Sequence, residues 1–474
     1  MNIAFSMLSL FMLLGNSIGF TETTAQEAIQ KKHRKLELGT PKIVRDFEGK
    51  KEKAKEWGEV YFGKWVDELI ESERKEISDY VNDVKLANEM NAKLEATRGK
   101  IPDHSELKKS IEEVDKALKK EKTNEPMYVY FRVQESFFGL EDGSLRSGAK
   151  INLENFLEFE KDFVKNQSIL KENGYINVSL HGESPSLLKE PSLYIQLKVP
   201  EGVHAGYTGK FITKEVTNDF LIERGQGIQI KKASIINQKG REFIKLEAEL
   251  IKDGTLKNEL EIHNKELNNE LGLSDKFAGL VNMDLTGRWI TLNYMKTENI
   301  VQSIRNIEKN ILLELQKQAF KYSPEPNLII ADYKPTDHEA FEHLKGDPQY
   351  DNAFGLHLDN MGHATIVSLD NTEEKLGKGE ENHVTLHELG HAIDDLVFKK
   401  ISNELNFKQI YNTEKDFFPD DNGYFSHVKS SSDEFFAECF AYYYSLYTER
   451  GELLKKYAPQ AYTFIKNLKT NIIN

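Results

Sequence analysis

"VTLHELGHAIDDLV", residues 384–397, sets two histidines four positions apart, with a glutamate directly after the first. On an α-helix, residues four apart are rotated by about 400° and separated by about 6 Å along the axis, so His387 and His391 share one face. Two imidazoles placed this way reach one Zn2+ at about 2.0–2.1 Å. Glu388 points from the neighbouring position towards the open coordination side. A carboxylate there takes a proton from water and later hands it to a leaving amine. The flanking "VTL" and "AIDDLV" add apolar residues at helical spacing that bury one side of the helix. His383 lies four residues before His387, but His383 and His391 are about 12 Å apart along the axis, too far for one tetrahedral ion. His383 is therefore expected in a substrate cleft or on the surface. Asp394, three after His391 on the same face, is placed to orient a histidine.

A third ligand must come from elsewhere. "SSSDEFFAECFAYYYSLY" (430–447) carries Glu434 and Glu438 four apart on a second expected helix. A glutamate there, packed against the first helix, completes a two-histidine, one-carboxylate site. Ser431-x-x-Glu434 also fits a capping box. Glu438 reads equally as a buried carboxylate, which is costly without a partner. Spacing alone leaves open which glutamate is the ligand and which supports a histidine from outside.

The rest of the chain sets limits on these readings. Its 474 residues are enough for two to three domains, each with its own core. It is 39% hydrophobic and 30% charged with a formal charge of -14, and no basic stripe marks a nucleic-acid partner. "FSMLSLFMLLGNSIGF" (5–20) is apolar, uncharged and short for a membrane span. It reads as the core of a signal peptide over 1–25, which implies a secreted, extracellular protein with no stable membrane span after removal. Cys439 is the single cysteine, so no internal disulfide forms. Helical spacing runs through 27–122, and strand signals follow from "MYVYFRV" (127–133) to "REFIKLEAELI" (241–251). From 255 to 320 the pattern is helical and charged, with "KNELEIHNKELNNELG" (257–272) as the expected hinge. "NLIIADY" (327–333) and "ATIVSLD" (364–370) read as strands before the two closing helices and a short third after Pro459.

Two resemblances organise these segments. "HELGHAIDD", then "GYF" (423–425), "DEFFAECFAYYY" and "YAPQAYTFI" (457–465) resemble the anthrax-lethal-factor-type zinc peptidases, over about 300–474. The resemblance implies Zn2+ as cofactor, Glu434 as third ligand, Glu438 as its outer support and Tyr424 as the oxyanion-stabilising residue. The stretch between Tyr424 and Glu434 is about three residues longer than the family pattern, which makes His427 the alternative to Tyr424. "WGEVYFGKWVDELIESERKEISDYV" (57–81), "VYFRV" (129–133), "YINVSL" (175–180) and "LIERGQGIQI" (221–230) resemble the ADP-ribosyltransferase domains of binary bacterial toxins, over about 42–252. In that family an arginine, a Ser-Thr-Ser strand and a Glu-x-Glu turn bind NAD and activate the acceptor. Here Arg132 holds the arginine position, Asn177-Val178-Ser179 the strand and Thr217-Asn218-Asp219 the turn, so Ser179 and Asp219 are what remains of an NAD site. "EAE" (247–249) falls one strand too late and reads as an exposed strand face.

The expectation is an α+β chain. It comprises a signal peptide (1–25), a mixed α/β ADP-ribosyltransferase-like domain (42–252) that is catalytically dead, a helical linker (253–299) and a mainly helical zincin-type metallopeptidase domain (300–474). The expected function is a secreted zinc endopeptidase acting on a protein or peptide substrate. A pore-forming translocation component is a further partner implied by the binary-toxin resemblance. Two rivals remain: an active NAD-dependent ADP-ribosyltransferase and a non-catalytic docking component.

Overall fold

The computed structural model describes residues 43–101, 106–182, 192–213, 218–238, 240–323, 327–348, 350–358, 364–376, 379–418 and 425–471. The expected signal peptide, Thr217 and Tyr424 lie outside them. Among the described residues no helix is long and apolar enough to cross a membrane.

From Arg45 onward the chain is one continuous body, whose described residues form two large cores and a smaller cluster around Phe341. The first begins with five helices, α1 (Lys51–Tyr61), α2 (Gly63–Glu68), α3 (Glu71–Asn82), α4 (Val84–Ala96) and α5 (Leu107–Leu118). They cover two sheets. One has the order β1-β6-β10-β9-β4, from Met127–Val133, Leu193–Val199, Arg241–Ile251, Gln226–Gln238 and Ile169–Glu172. The other is β5-β8-β7, from Ile176–Val178, Phe220–Ile222 and Ala205–Tyr207, and a short hairpin, β2-β3, spans Arg146–Ser147 and Lys150–Ile151. β10 shows why these segments pair: Ile244, Leu246, Ala248 and Leu250 point into the core and alternate with Lys245, Glu247 and Glu249. Glu247 and Glu249 face outward as expected, paired with Lys232 at 2.9 Å and Lys198 at 3.0 Å.

The second core surrounds a four-stranded sheet, β11-β12-β14-β13, from Val281–Asp284, Leu328–Ala331, Thr365–Ser368 and Gly355–His357. β11, β12 and β14 run parallel, and β13 is an antiparallel edge strand. The expected linker, 253–299, belongs to this lobe. "KNELEIHNKELNNELG" is no hinge but most of a 19-residue helix, α7 (Asp253–Leu271), after the short α6 (Leu153–Phe159) of the first lobe. Leu256, Leu267 and Leu271 of α7 enter the second core. Asn264 and Asn268, one turn apart, each pair with the backbone of β11. Asn268 accepts from the Val281 N–H and donates to its carbonyl, and Asn264 does the same at Met283. Two side-chain amides thus take the place of a neighbouring strand and close that edge of the sheet.

Helices α8 (Ile290–Ile304) and α9 (Lys309–Ala319) follow, and later α10 (Leu369–Leu376), α11 (Glu381–Ala392), α12 (Leu405–Glu414), α13 (Phe425–Val428), α14 (Ser432–Tyr444), α15 (Thr448–Tyr457) and α16 (Pro459–Lys466). The lobes meet around Arg288, which donates to Glu172 at 2.7 Å, reaches Glu95 at 3.4 Å and lies over the Phe137 ring.

Candidate metal centre

Helices α11 and α14 cross at a point only glycine allows. A Cβ on Gly390 would lie 2.8 Å from the Cα of Ala437, so any larger residue pushes the helices apart. The contact fixes what lies around it. His387 and His391 stand three before and one after Gly390; Glu434 and Glu438 stand three before and one after Ala437. The close crossing therefore brings two histidines against two glutamates.

The Nε2 atoms of His387 and His391 are 3.2 Å apart, and Glu434 Oε2 lies 3.2 Å from the first and 3.4 Å from the second. Among the described residues this is the one set of three His, Cys, Asp or Glu ligand atoms mutually within 4.8 Å. A tetrahedral ion with bonds of about 2.0–2.1 Å spaces its ligand atoms about 3.3 Å apart, so the triangle has the edges Zn2+ requires. Two nitrogens and one carboxylate oxygen are also a donor set suited to that ion. The electrostatics agree. Burial works against charge on His387, yet Glu434 and Glu438 hold its imidazole well above the usual value, so the pocket favours a cation. Burial would likewise raise Glu434, but His387, His391 and His427 hold it well below the usual carboxylate range.

Only half of the expected capping box forms at Glu434. Its backbone N–H donates to Ser431 Oγ at 3.3 Å, the helix cap, while its side chain faces the histidines. Glu438 is 1% exposed and accepts from His387 Nδ1 at 2.9 Å. With a metal bound, that hydrogen bond would keep the His387 proton on Nδ1 and leave Nε2 for the shared point. Glu388 lies against β13: a Cβ on Gly355 would fall 2.5 Å from its Cγ and 2.8 Å from its Oε1. Burial pushes the Glu388 carboxyl up, against the opposing pull of His387 and His391.

Two expectations are corrected. His383 is neither on the surface nor in a cleft. It is buried, and its Nε2 donates to Glu438 Oε1 at 3.0 Å. Among the described residues, no hydrogen bond joins Asp394 to a histidine. It sits in the π-helical turn Ile393–Val397, where its carboxylate accepts from the backbone N–H of Ser402 at 2.9 Å and from the Ser402 hydroxyl. That wider turn points Asp394 into the following loop and away from the metal face. His427 Nε2 stands 3.2 Å from Glu434 Oε2. Sequence reasoning missed Gly355. It also missed His357 on the same edge strand, whose Nε2 lies 3.5 Å from Asp395.

The first lobe treats its expected residues differently. Ser179 is fully buried, and its Oγ accepts from the His181 N–H at 3.2 Å. Asp219 accepts from the Leu180 N–H at 2.9 Å, and burial pushes its carboxyl up to about 6. Arg132 lies over the rings of Tyr194 and Phe243, 5.1 Å from each centroid, and donates to Gln238 at 3.0 Å. Among the described residues, no hydrogen bond or ion pair joins Arg132 to Ser179 or Asp219.

The fold and site together define a two-lobed protein whose second lobe carries a His-His-Glu triad able to hold a metal ion. Comparison with known proteins agrees. The family described as anthrax toxin lethal factor, N- and C-terminal domain, matches residues 290–468, and the ADP-ribosyltransferase exoenzyme family matches residues 54–253. Lethal factor of Bacillus anthracis is 27% identical over 348 residues, 69% of this chain and 39% of that protein. The Pro-Pro endopeptidase of Clostridioides difficile (strain 630) is 33% identical over 185 residues, 38% of this chain and 79% of that protein. Plx2a, an ADP-ribosyltransferase toxin from Paenibacillus larvae, shares 31% identity over 44% of this chain and all of its own, with a TM-score of 0.40. Through its second lobe the chain belongs to the family of lethal factor and the Pro-Pro endopeptidase, with an ADP-ribosyltransferase-like α/β part ahead of it. The chain spans 39% of the length of lethal factor.

Proposed function

We propose that this chain is a secreted zinc endopeptidase whose transferase-like lobe does no NAD chemistry. The observation that carries the reading is the triangle of His387, His391 and Glu434, with edges of 3.2, 3.2 and 3.4 Å. Held by these three side chains, Zn2+ would supply Lewis-acid chemistry, polarising water and the scissile carbonyl. The remaining work falls to the protein. Glu388, directly after His387, takes the proton from the attacking water on a carboxylate oxygen and delivers it to the leaving amine. Glu438 holds the His387 ring and its tautomer. The family pattern gives the oxyanion donor as Tyr424. His427, beside Glu434, is the donor that the described residues offer. An extended protein or peptide substrate would pair along the edge strand Gly355–His357 beside Glu388.

What supports a silent first lobe is the use made of its expected residues. Ser179 and Asp219 face backbone N–H groups, and Arg132 is stacked between two rings. We place the division between the two domains near residue 252, where α7 begins. The test is zinc analysis and peptide-library cleavage by wild type and Glu388→Gln. Glu388→Gln keeps its shape but cannot accept the proton, so cleavage should fall about 10²-fold or more with zinc retained. Activity within a few-fold of wild type removes Glu388 from the role of base. Transfer of label from NAD by the wild type to a host lysate would sink the silent-lobe reading.

A further inference from the structure

His383 is the one histidine of α11 that the metal triangle does not use, yet it is buried beside it. It lies one helical turn before His387, and the two rings face the same carboxylate. Glu438 Oε1 accepts from His383 Nε2 at 3.0 Å, and Glu438 Oε2 accepts from His387 Nδ1 at 2.9 Å. One side chain of α14 thus staples two successive turns of α11. The His383 ring is packed edge-on against Tyr442, with centroids 5.4 Å apart and planes at 81°.

We infer that His383 is a positioning residue of the metal centre, locking the Glu438 carboxylate that orients His387. The inference rests on the zinc-site reading of His387, His391 and Glu434. A carboxylate with one donor on each oxygen cannot turn without breaking a hydrogen bond. Remove His383, and one oxygen of a group 1% exposed has no donor. The carboxylate then turns towards whatever donor remains, and the His387 ring loses its fixed orientation. His383 Nδ1 is buried with no hydrogen-bond partner among the described residues, so Nε2 is the ring atom that engages Glu438.

Zn2+ affinity measured by chelator competition tests this on wild type, His383→Gln and His383→Phe. The amide nitrogen of Gln has a reach close to that of Nε2 and donates to Glu438; Phe keeps the ring and loses the donor. His383→Phe should weaken Zn2+ binding by about tenfold, the low end for an outer partner, and Gln should stay close to wild type. Thermal unfolding of the metal-free proteins separates this from a packing role. Loss of metal-free stability with an unchanged Zn2+ dissociation constant for Phe would overturn the inference, and so would an equal loss of affinity in Gln and Phe. If Phe does not fold, His383→Asn replaces it. Its shorter amide cannot reach Glu438, so equal affinities for Asn and Gln overturn the inference, and a loss confined to Asn supports it. A wild type that binds no Zn2+ removes the underlying reading and the inference with it.

Discussion

The two lobes bury chemically capable side chains in opposite ways. In the second lobe, buried and half-buried groups converge. His387, His391 and Glu434 aim ligand atoms at one point, and Glu438 and His383 hold them from behind. In the first lobe they disperse. Ser179 and Asp219 spend their oxygens on the backbone around Leu180, and Arg132 packs on Tyr194 and Phe243. Both lobes have a well-packed core, so packing does not distinguish the proposed metal site from the proposed silent site. What distinguishes them is whether polar atoms are satisfied by one another around a shared point or by the fold itself.

The largest expected effect breaks the convergence outright. Glu434→Ala removes one corner of the triangle, and the protein should keep no stoichiometric Zn2+ after desalting. Glu438→Ala leaves the corners in place and should weaken Zn2+ binding by roughly 10–100-fold, as for an outer partner of a ligand. Metal analysis and chelator competition measure both. The reverse ranking would mean that Glu438 is the ligand and that the helix crossing at Gly390 and Ala437 has been read one turn out.

Much of this convergence was legible in the sequence, and the parts that were not share a cause. His387, Glu388 and His391 declare themselves because helix geometry relates neighbours on one element. Glu434 and Glu438 show as a second such pair, to which the resemblance assigns separate roles. His383 stayed hidden because its partner is 55 positions away, and spacing along one helix gives no hint of what a second helix brings. The π-helical turn that diverts Asp394 leaves the same sequence as a regular helix would. Strands β11 and β13 are four and three residues long, too short for alternation to show. The charged run 257–272 reads as a hinge from its composition, although Asn264 and Asn268 within it pair with β11 and seal a sheet edge.

A smaller change sharpens the comparison at Glu388. Gly355 leaves the space the Glu388 side chain fills, and a Cβ there would sit 2.5 Å from Cγ. Gly355→Ala must therefore displace either the edge strand or the proposed base. Misplacing a catalytic group by about 1 Å costs up to about 10²-fold. We expect kcat to fall by as much as that with Zn2+ content unchanged. Unchanged kcat would mean the edge strand yields and Glu388 does not depend on it.

The smallest effect concerns the first lobe. Burial pushes Asp219 up to about 6 from its ordinary 3.8, so the folded protein prefers the neutral acid. Below about pH 3.8 both folded and unfolded chains carry the proton, and nothing is lost. As pH rises from there, the unfolded chain ionises first and the folded state is penalised. Above about pH 6 the penalty is complete, about 3 kcal/mol for a shift of about two pKa units. Asp219→Asn keeps an oxygen for the Leu180 N–H and carries no charge. Its melting temperature should match the wild type near pH 4 and exceed it at pH 7.5, with peptide cleavage unaltered. An Asn variant less stable than wild type at pH 7.5 would mean that the first lobe still stabilises an anion at Asp219, and the contrast between the lobes would fail there.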